Sequence, residues 1–535
     1  MWSRVEATEP AALRGATTQN PLDSLDCESH PSGEQSIVVG GEDPSGVEVD
    51  SFGGPVRVEW DHAAPMTPHG QLAFFIHYLK TSGLFDAFVA DCPLRYLSPN
   101  APKKRDVLGT AMLSMLVGAK RYAHIAAIRG DGVLPELLDL KGIVSEDAIR
   151  RAFKAINEEE GAAWLRGHLA FCVEPLLAEP WVLDVDTTIK PLYGHQEGAR
   201  LGYNPKKPGR PSHCYHTYSM AATRLMLDVD VSPGDEHTSK HSAPSLWALI
   251  DRLPRDLWPR LLRGDSGFGN ESVMREAEAR ELPYLFKLRL TKNVKRMIAK
   301  LANEREWVDA DQGFEARESE VRLEGWSRQR RTVVLRRRLR GSVALSRDDF
   351  GGDAQLSFAD ISEATEIYEY QVVVTSLDAP VEAFGQLYRD RSDAENIFDE
   401  MKNQWGWGGF TTRDLARCRL AARLNALVYD WWNIFVRLAD PNLHREAITS
   451  RPLFLSAIAT RTRHARQTTL RVASSHAEAK TVARALEAVT RFLRDLTENA
   501  EQLARPQKWR AILSRAFQAF LNGRLIRPPP RLAPT

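Results

Sequence analysis

LYRDRSDAENIFDEMKNQ, residues 387–404, is predicted to form one helix in which Tyr388, Arg391, Glu395 and Lys402 are separated by 3, 4 and 7 residues. At about 100° per residue these four positions fall within an arc of about 60°, so one helix face would carry a carboxylate, two cations and a phenol. A carboxylate can hold a divalent metal, and the cations and the phenol can hold a phosphate. The alternative is an ion-paired surface helix, because Arg391 and Glu395 are four residues apart.

The overall composition predicts a globular protein with more than one domain. The chain has 535 residues, of which 43% are hydrophobic and 26% are charged. No apolar run approaches the roughly 20 residues of a membrane span, and the start MWSRVEATEP lacks the basic-then-apolar order of a secretion signal. None of the five cysteines belongs to a CxxC pair, so neither a zinc site nor a disulfide framework is indicated. We therefore expect a protein of the reducing cytoplasm without membrane contact.

The net charge of +1 is unevenly distributed along the chain. Residues 1–50 hold two arginines and ten acids, whereas residues 441–535 hold seventeen basic residues and six acids. A basic C-terminal region on a nearly neutral chain indicates an anionic partner, with nucleic acid first. The alternative is a solvated helical surface.

The first third of the chain is predicted to contain a leader and a helical region. Residues 1–53 are rich in Gly, Ser, Pro and acids, which predicts a disordered acidic leader. Residues 54–178 show apolar residues at helical spacing, and we interpret them as a helical DNA-binding region. Ser145 is the expected N-cap of a helix beginning at Glu146. That helix can be the second of a helix-turn-helix whose first is VLPELLDLKGI, but a plain helical bundle is the more frequent alternative.

After residue 178 the spacing of the apolar residues changes from a helical to a strand-like pattern. Residues 179–290 are predicted to follow the order β-β-β-α-β-α-β, which gives the first part of an α/β catalytic core. Residues 291–378 contain strand-like runs such as TVVLRRRLR and little helix, so they are interpreted as a β-rich insertion. Residues 379–410 carry the last helix of the core, and residues 411–535 are predicted to form a basic helical C-terminal region.

Three acids stand at the ends of core elements. Asp186 ends the first strand, Asp265 ends the fourth strand, and Glu395 lies on the helix after the insertion. Acids at the ends of parallel strands converge at one edge of a sheet, where a flanking helix can add a third. Three carboxylates without His or Cys suit Mg²⁺ or Mn²⁺, and two such ions can clamp the oxygens of a phosphodiester. Asp184 points to the same strand face as Asp186 and is an alternative ligand, and Asp265 can instead be a turn former.

These residues resemble the DDE-type insertion-sequence transposases of the subgroup with the signature Tyr-x2-Arg-x3-Glu-x6-Lys. The stretch LDVDTTIKPLYGHQEGARLGYNPKKPGRPSHCYH resembles its first-Asp segment, and RGDSGFG resembles its second. The resemblance runs from about residue 56 to the basic C-terminal helices. It implies a ribonuclease-H-like core with two metal ions on Asp186, Asp265 and Glu395. It also implies cut-and-paste transposition, in which water nicks a strand and the freed 3′-hydroxyl then attacks.

The same resemblance implies several contacts with DNA. Tyr388, Arg391 and Lys402 would hold the phosphate backbone beside the cut. The subgroup is associated with hairpin DNA ends, and its insertion supplies a stacking tryptophan. Of the two tryptophans in this insertion, Trp307 and Trp326, we favour Trp326 because an arginine-rich run, residues 328–340, follows it. The alternative is that both are core residues of the insertion.

A positive loop follows the first catalytic strand. YNPKKPGRP, residues 203–211, is rigid because of its prolines. Lys206, Lys207 and Arg210 are therefore predicted to contact the DNA backbone near the active site. A solvated connector is the alternative.

The predicted function is a DNA transposase that acts on terminal inverted repeats and target DNA as a synaptic homodimer. The first alternative is a structure-specific nuclease with the same core and metals, which would need less basic surface for recognition of DNA ends. The second is a DNA-binding regulator derived from a transposase. That alternative would require the loss of an acid, and none of the three is lost.

Overall fold

The computed structural model describes residues 46–62, 64–96, 98–204, 207–235, 238–302, 304, 306–339, 368–410, 412–465, 467–498 and 503–526. Most of the predicted acidic leader, residues 1–45, lies outside the described residues. The chain divides into two compact units, Met1–Ala64 and Pro65–Thr535. In the described part of the chain, every helix is too short or too polar to cross a membrane.

The first unit contains an antiparallel hairpin of β1 (Val47–Ser51) and β2 (Gly54–Val58). The prediction of disorder through residue 53 is therefore wrong for its last residues. The alternating VEVDS and GPVRV form two short strands around a turn that contains Gly53 and Gly54. Gly54 has a φ of 111°, a conformation that glycine adopts without the steric cost of a Cβ atom.

The second unit begins with a short strand and a group of helices. Their bounds are β3 (Met66–Thr67), α1 (Leu72–Ser82), α2 (Leu84–Asp91), α3 (Lys104–Leu116), α4 (Leu134–Leu137), α5 (Glu146–Ala155) and α6 (Glu158–Val173). The hydroxyl of Ser145 accepts a hydrogen bond from the amide of Ala148, as expected for the N-cap of α5. The segment proposed as the first helix of a helix-turn-helix forms only the four residues of α4, so the helical-bundle alternative describes this region better.

A mixed β-sheet follows, with helices between its later strands. The elements are β4 (Val182–Pro191), β5 (Ser212–Met220), β6 (Leu225–Pro233), α7 (Thr238–Asp251), β7 (Leu261–Gly264), α8 (Glu271–Ala279) and β8 (Tyr284–Lys287). The strand order is β6-β5-β4-β7-β8. β4 and β6 are antiparallel to β5, whereas β7 is parallel to β4 and to β8. This arrangement agrees with the predicted order of elements and brings the ends of β4 and β7 to the same sheet edge.

The segment predicted as a β-rich insertion extends this sheet. It contains α9 (Lys292–Ala302), β9 (Val308–Asp309), β10 (Phe314–Val321), β11 (Arg330–Arg338) and β12 (Tyr368–Thr375). β12 pairs antiparallel with β8, so the sheet continues as β8-β12-β11-β10-β9 to nine strands. The sequence analysis did not predict α9 or β10.

The stretch at residues 387–404 forms two helices. α10 (Ala383–Arg389) ends before Asp390, and α11 (Ser392–Asn403) begins after Arg391. Both intervening residues keep helical dihedral angles, but the amides of Arg391 and Ala394 bond to carbonyls only three residues earlier. The prediction of one continuous helix is therefore wrong at this tightened turn.

The C-terminal region surrounds one long buried helix. Its elements are α12 (Leu415–Ala439), α13 (Ala447–Phe454), β13 (Ile458–His464), β14 (Gln467–Ala473), α14 (Ala479–Glu498) and α15 (Arg505–Ala516). Nearly every residue of α12 from Leu420 to Leu438 is buried, and the helix contacts α3, α6, α15 and β6. It thus joins the N-terminal helices to the sheet in one core. The hairpin β13–β14 was not predicted in a region expected to be helical.

Candidate active site

Two of the predicted catalytic acids lie side by side on neighbouring parallel strands. Asp186 is on β4, and Asp265 directly follows β7. Val185 and Gly264 form the last paired rung of the two strands, and each acid is the next residue along its own chain segment. Asp265 also forms the expected turn, because its Oδ1 accepts the amide of Gly267 at 2.9 Å.

An arginine connects the third acid to the first. Arg391 is buried, and its guanidinium forms an ion pair with Asp186 through Nη2. Its Nη1 donates to Glu395 Oε1 at 3.0 Å, so the expected i,i+4 pair is present. The amide of Thr187 also donates to Asp186 Oδ1 at 2.7 Å. Glu395 belongs to α11, which packs against β4, and its side chain is 67% exposed. Arg391 therefore bridges a buried carboxylate and a solvent-facing one.

Burial and like charges act together on Asp186. The pKa of Asp186 is raised to about 7, because burial, followed by the charges of Asp265 and Glu395, outweighs the lowering effect of Arg391. Burial also raises the pKa of Tyr388 to about 12, where Asp265, Glu395 and Asp186 again contribute. Burial favours loss of the proton from Arg391, but its carboxylate neighbours raise its pKa overall. Tyr388, Arg391 and the three acids therefore lie close enough together to shift one another's pKa values, and they form one site.

The three acids offer the type of ligand atom that a divalent cation prefers. These atoms are carboxylate oxygens, which Mg²⁺ and Mn²⁺ prefer over nitrogen or sulfur. Among the described residues, no group of three or more His, Cys, Asp or Glu side chains is arranged to hold a metal ion. Two of the expected carboxylates are instead held by the positive charge of Arg391. The three acids therefore have the chemistry of a metal site, with an internal cation between two of them.

Asp184, the alternative ligand, has a different role. Arg263 Nε and Nη2 donate to Asp184 Oδ1 and Oδ2 at 2.6 and 2.8 Å, and both side chains are about 2% exposed. Arg263 Nη1 also donates to the carbonyl of Leu387 at 2.6 Å. With both oxygens engaged by one buried guanidinium, Asp184 has a structural partner of its own, and the choice of Asp186 as the ligand stays a prediction. Arg263 joins β4, β7 and the segment that carries Tyr388.

The sequence contains a signal for this pair that the analysis missed. Asp184 and Asp186 are two residues apart, as are Arg263 and Asp265. Side chains two residues apart point to the same face of a strand. Asp184 pairs with Arg263 in the strand register, and each acid lies two residues further along. The repeated two-residue spacing therefore predicts an ion pair behind the acids.

The predicted DNA contacts differ in their placement. Lys402 is half-buried in the last turn of α11. Lys207 and Arg210 are exposed, and they lie over the ring of Tyr193 at 5.1 and 4.7 Å from its centroid. Tyr193, which the sequence analysis did not single out, is 67% exposed. These three side chains form an exposed basic and aromatic surface after β4. Lys206 lies outside the described residues.

Trp326 does not offer an exposed ring for stacking. It is 7% exposed, belongs to the main hydrophobic core, and lies 5.2 Å below the guanidinium of Arg330. The preference for Trp326 as a stacking residue is therefore wrong, and the core alternative describes it better. Trp307 is half-buried, and Arg336 covers its ring at 4.0 Å.

The arginine-rich run beside Trp326 is largely paired within the protein. Arg330 binds Glu271 and Glu278, Arg331 binds Glu318, Arg336 binds Glu315, and Arg337 binds Glu369. Because these arginines are paired with glutamates, the run offers little free positive charge to a DNA backbone. The arginines of β11 lie opposite a partner strand, β10, that is rich in glutamates, and this pattern of opposite charges on paired strands indicates the pairing.

Lys190 provides a pH-dependent test of the packing beside the site. It lies on β4 beyond Asp186, and burial lowers the pKa of its amine from 10.5 to about 8. The amine donates to Tyr215 Oη at 3.3 Å. Between pH 8 and 10.5 the unfolded chain would bind more protons at this group than the folded chain. This group therefore makes the free energy of unfolding rise with pH in that window.

We expect Lys190→Met to raise the melting temperature near neutral pH, because a buried charge is replaced by an apolar side chain of similar length. The gain should shrink as pH rises through the window, when the wild-type amine becomes neutral. Urea unfolding of both proteins at several pH values measures the difference. A constant difference from pH 7 to pH 10 would contradict the lowered pKa.

Comparisons with known proteins match the part of the chain that contains this site. The family model described as "Transposase DDE domain group 1" matches residues 101–493, which include all three acids. No curated protein matches the chain. Among solved structures, a piggyBac transposase synaptic complex with hairpin DNA, determined by cryo-electron microscopy, is similar. It shows 11% sequence identity and a TM-score of 0.38, over 84% of this chain and 85% of that chain.

Proposed function

This chain belongs to the family of transposases with a DDE domain of group 1, and we propose that it moves an insertion sequence by cut-and-paste transposition. Asp186, Asp265 and Glu395 are its proposed catalytic acids. The main support is that Asp186 and Asp265 each follow the last paired rung of two parallel strands while Arg391 bridges Asp186 to Glu395. We also propose that the core is ribonuclease-H-like and that the chain belongs to the subgroup named by its Tyr-Arg-Glu-Lys spacing.

DDE transposases use divalent metal ions, and we propose that Asp186, Asp265 and Glu395 hold Mg²⁺ or Mn²⁺, as two ions. When bound, these ions supply positive charge that stabilises the attacking and leaving oxygens of the phosphodiester. The chain contributes a carboxylate on each of three separate elements. Because β4 and β7 are fixed in one sheet, the first two carboxylates are held in position before DNA arrives.

Arg391 is the proposed phosphate-binding residue nearest to the acids. Its Nε is buried and has no hydrogen-bond partner among the described residues. A phosphate oxygen can accept from this group and from the Nη atoms, because a guanidinium is a preferred partner of phosphate. In binding DNA, Arg391 would exchange carboxylate oxygens for phosphate oxygens. That exchange would release Asp186 and Glu395 from their ion pair for the metal.

The neighbouring side chains would position the strand. Tyr388 retains its proton across the physiological range, because its pKa is raised, so its hydroxyl can donate to a phosphate. Lys402 is proposed to add a cation on the same face. Lys207 and Arg210, exposed around Tyr193, would contact the backbone beyond the active site. Lys206 is proposed to do the same.

The proposed reaction is a series of phosphoryl transfers within a synaptic complex. Water first attacks the phosphodiester at the element's end, which frees a 3′-hydroxyl on the element and leaves the phosphate on the flanking strand. That hydroxyl then attacks a phosphodiester of the opposite strand, which closes the end as a hairpin and releases the flanking strand with its own 3′-hydroxyl. Water reopens the hairpin, and the regenerated 3′-hydroxyl attacks a phosphodiester of target DNA and displaces a target 3′-hydroxyl. We propose that a homodimer holds two terminal inverted repeats, so that both ends are cut in step.

The test is a cleavage assay on a duplex that carries the element's own end. With Mg²⁺ we expect nicking followed by a hairpin product, which migrates on a denaturing gel as a covalently joined strand of double length. Cleavage should stop when the metal is chelated. Nicking without any joined strand would exclude the hairpin step but keep the transposase. No cleavage of the correct end in Mg²⁺ or Mn²⁺ would contradict the proposed function.

A further inference from the structure

The hairpin β13–β14 is an exposed two-stranded ribbon. Its seven paired rungs run from Ile458 opposite Ala473 to His464 opposite Gln467. β3 pairs only with Ala459 and Thr460 at its base. Beyond that base, within the described residues, each strand pairs only with the other. At about 3.4 Å per residue the ribbon is about 24 Å long.

The composition of this ribbon is unusual for a stretch of sheet in water. Residues 458–473, IATRTRHARQTTLRVA, contain four arginines, four threonines, a histidine and a glutamine, and no acid. The outer part is exposed on both strands, at residues 462–464 and 467–469. A two-stranded hairpin without a hydrophobic face is only marginally stable alone. The unpaired backbone groups at its edges can bind a partner. The positive charge selects an anionic partner.

The register divides the ribbon into two faces. Arg461 pairs with Leu470 and Arg463 with Thr468, so these four side chains share one face. Arg461 forms an ion pair with Glu136 and donates to the carbonyl of Gly132 at 3.1 Å. The base of this inner face is therefore attached to the N-terminal helices.

The other face carries hydrogen-bonding side chains along its length. Thr462 lies opposite Thr469, His464 opposite Gln467, and Thr460 opposite Arg471. Apart from Thr460, which is half-buried, these side chains are exposed. We call the exposed set, Thr462, His464, Gln467, Thr469 and Arg471, the outer face.

We propose that the outer face of this ribbon enters a groove of duplex DNA. The major groove of B-form DNA, about 12 Å wide, admits a two-stranded β-ribbon. Thr, Gln and Arg are side chains that read base edges, and Arg also binds phosphates. The proposal rests on the proposed function only in taking DNA as the partner. It adds a recognition element that is separate from the catalytic acids.

The inference predicts different effects of one charge change on the two faces. In the full-length protein, Arg471→Gln should weaken binding to duplex DNA about tenfold. It should also lower the slope of log affinity against log salt by about 1. Arg463→Gln removes the same charge from the same ribbon on the inner face and should have a smaller effect. Fluorescence anisotropy with a labelled duplex, in EDTA so that no cleavage occurs, measures both variants.

Two further comparisons complete the test. Thr469→Val keeps the charge and the strand-forming shape, so it should weaken binding without changing the salt slope. Each protein is measured on a duplex carrying the element's end and on an unrelated duplex. A loss confined to the first assigns the ribbon to end recognition, and an equal loss on both assigns it to target or backbone binding. Equal losses for Arg471→Gln and Arg463→Gln, or wild-type binding by Arg471→Gln, would overturn the inference. Because cleavage is not measured, failure of the proposed function would not produce either result.

Discussion

Glu395→Ala is expected to abolish strand cleavage, by about a thousandfold or more, while DNA binding and folding are preserved. A thousandfold loss corresponds to about 4 kcal/mol of transition-state stabilisation. Glu395 gives the clearest test of the three acids, because its side chain is 67% exposed and is bound by Arg391 rather than packed in the core. Its removal costs little packing but takes away one proposed metal ligand. Affinity for DNA should remain, because it comes mainly from basic contacts elsewhere.

The matched control lies on the same helix. Asp399 is exposed one turn beyond Glu395 and bonds only locally, accepting from Asn403 Nδ2 at 2.7 Å. Asp399→Ala removes the same charge from α11 and should cleave at nearly the wild-type rate. Cleavage in Mg²⁺, DNA binding in EDTA and thermal unfolding should be measured for both variants. Cleavage by Glu395→Ala at the rate of the Asp399→Ala control would show that Glu395 is not part of the catalytic site.

Asp186→Ala and Asp265→Ala should also be inactive, but they are less simple to interpret. Asp186 is buried against Arg391, so its removal leaves a buried guanidinium short of one partner. Asp265 also forms a turn through its side chain. A loss of activity in either variant therefore needs a stability measurement beside it.

Local patterns were sufficient to predict the order of core elements. The strands β4 to β8 and the helices between them appear at the expected positions, because the spacing of apolar residues within each segment indicates its type of secondary structure. The pairing of β12 with β8 was not predicted, since it joins residues about 90 positions apart and no local signal records it. β13 and β14 were missed for a different reason. Their exposed residues are polar on both faces, so the usual apolar alternation is absent.

The candidate site was predicted in its residues but not in its contacts. The three acids, Tyr388 and Arg391 do lie close together. The break between α10 and α11 was not predicted, because both linking residues keep helical angles and no proline or glycine marks the turn. Nor did the sequence analysis find the partner of Asp184. The expectation for Trp326 failed because side-chain burial depends on the whole fold, whereas its sequence neighbours are charged.

Arg263 is the residue through which the fold supports the site. It lies on β7 two residues before Asp265, binds Asp184 on β4, and donates to the carbonyl just before Tyr388. One side chain thus connects the strands that carry Asp186 and Asp265 with α10, which carries Tyr388. Asp184 and Arg263 are both buried, so neither charge has water as a substitute partner. Removing one partner of such a pair typically costs about 3–5 kcal/mol.

The protein contains a second buried pair that serves as a control. Arg423 on α12 binds Asp228 at 2.8 Å and Asp230 at 3.1 Å on β6, and its side chain is 3% exposed. Neither of these two partners belongs to the proposed active site. Arg423→Met and Arg263→Met therefore remove the same group from similar surroundings, one away from the acids and one behind them.

We expect both arginine variants to lower the melting temperature, but only Arg263→Met to lower cleavage per folded molecule, by about a hundredfold. A displacement of about 1 Å among reacting groups is enough for such a loss. Arg263→Lys should recover part of the stability but little of the activity, because an ammonium cannot make the bidentate contact with Asp184 and also reach Leu387. The measurements are thermal unfolding and cleavage rates at a temperature where circular dichroism shows each variant folded. Equal specific activity of Arg263→Met and Arg423→Met would show that Arg263 only stabilises the fold and does not position the catalytic acids.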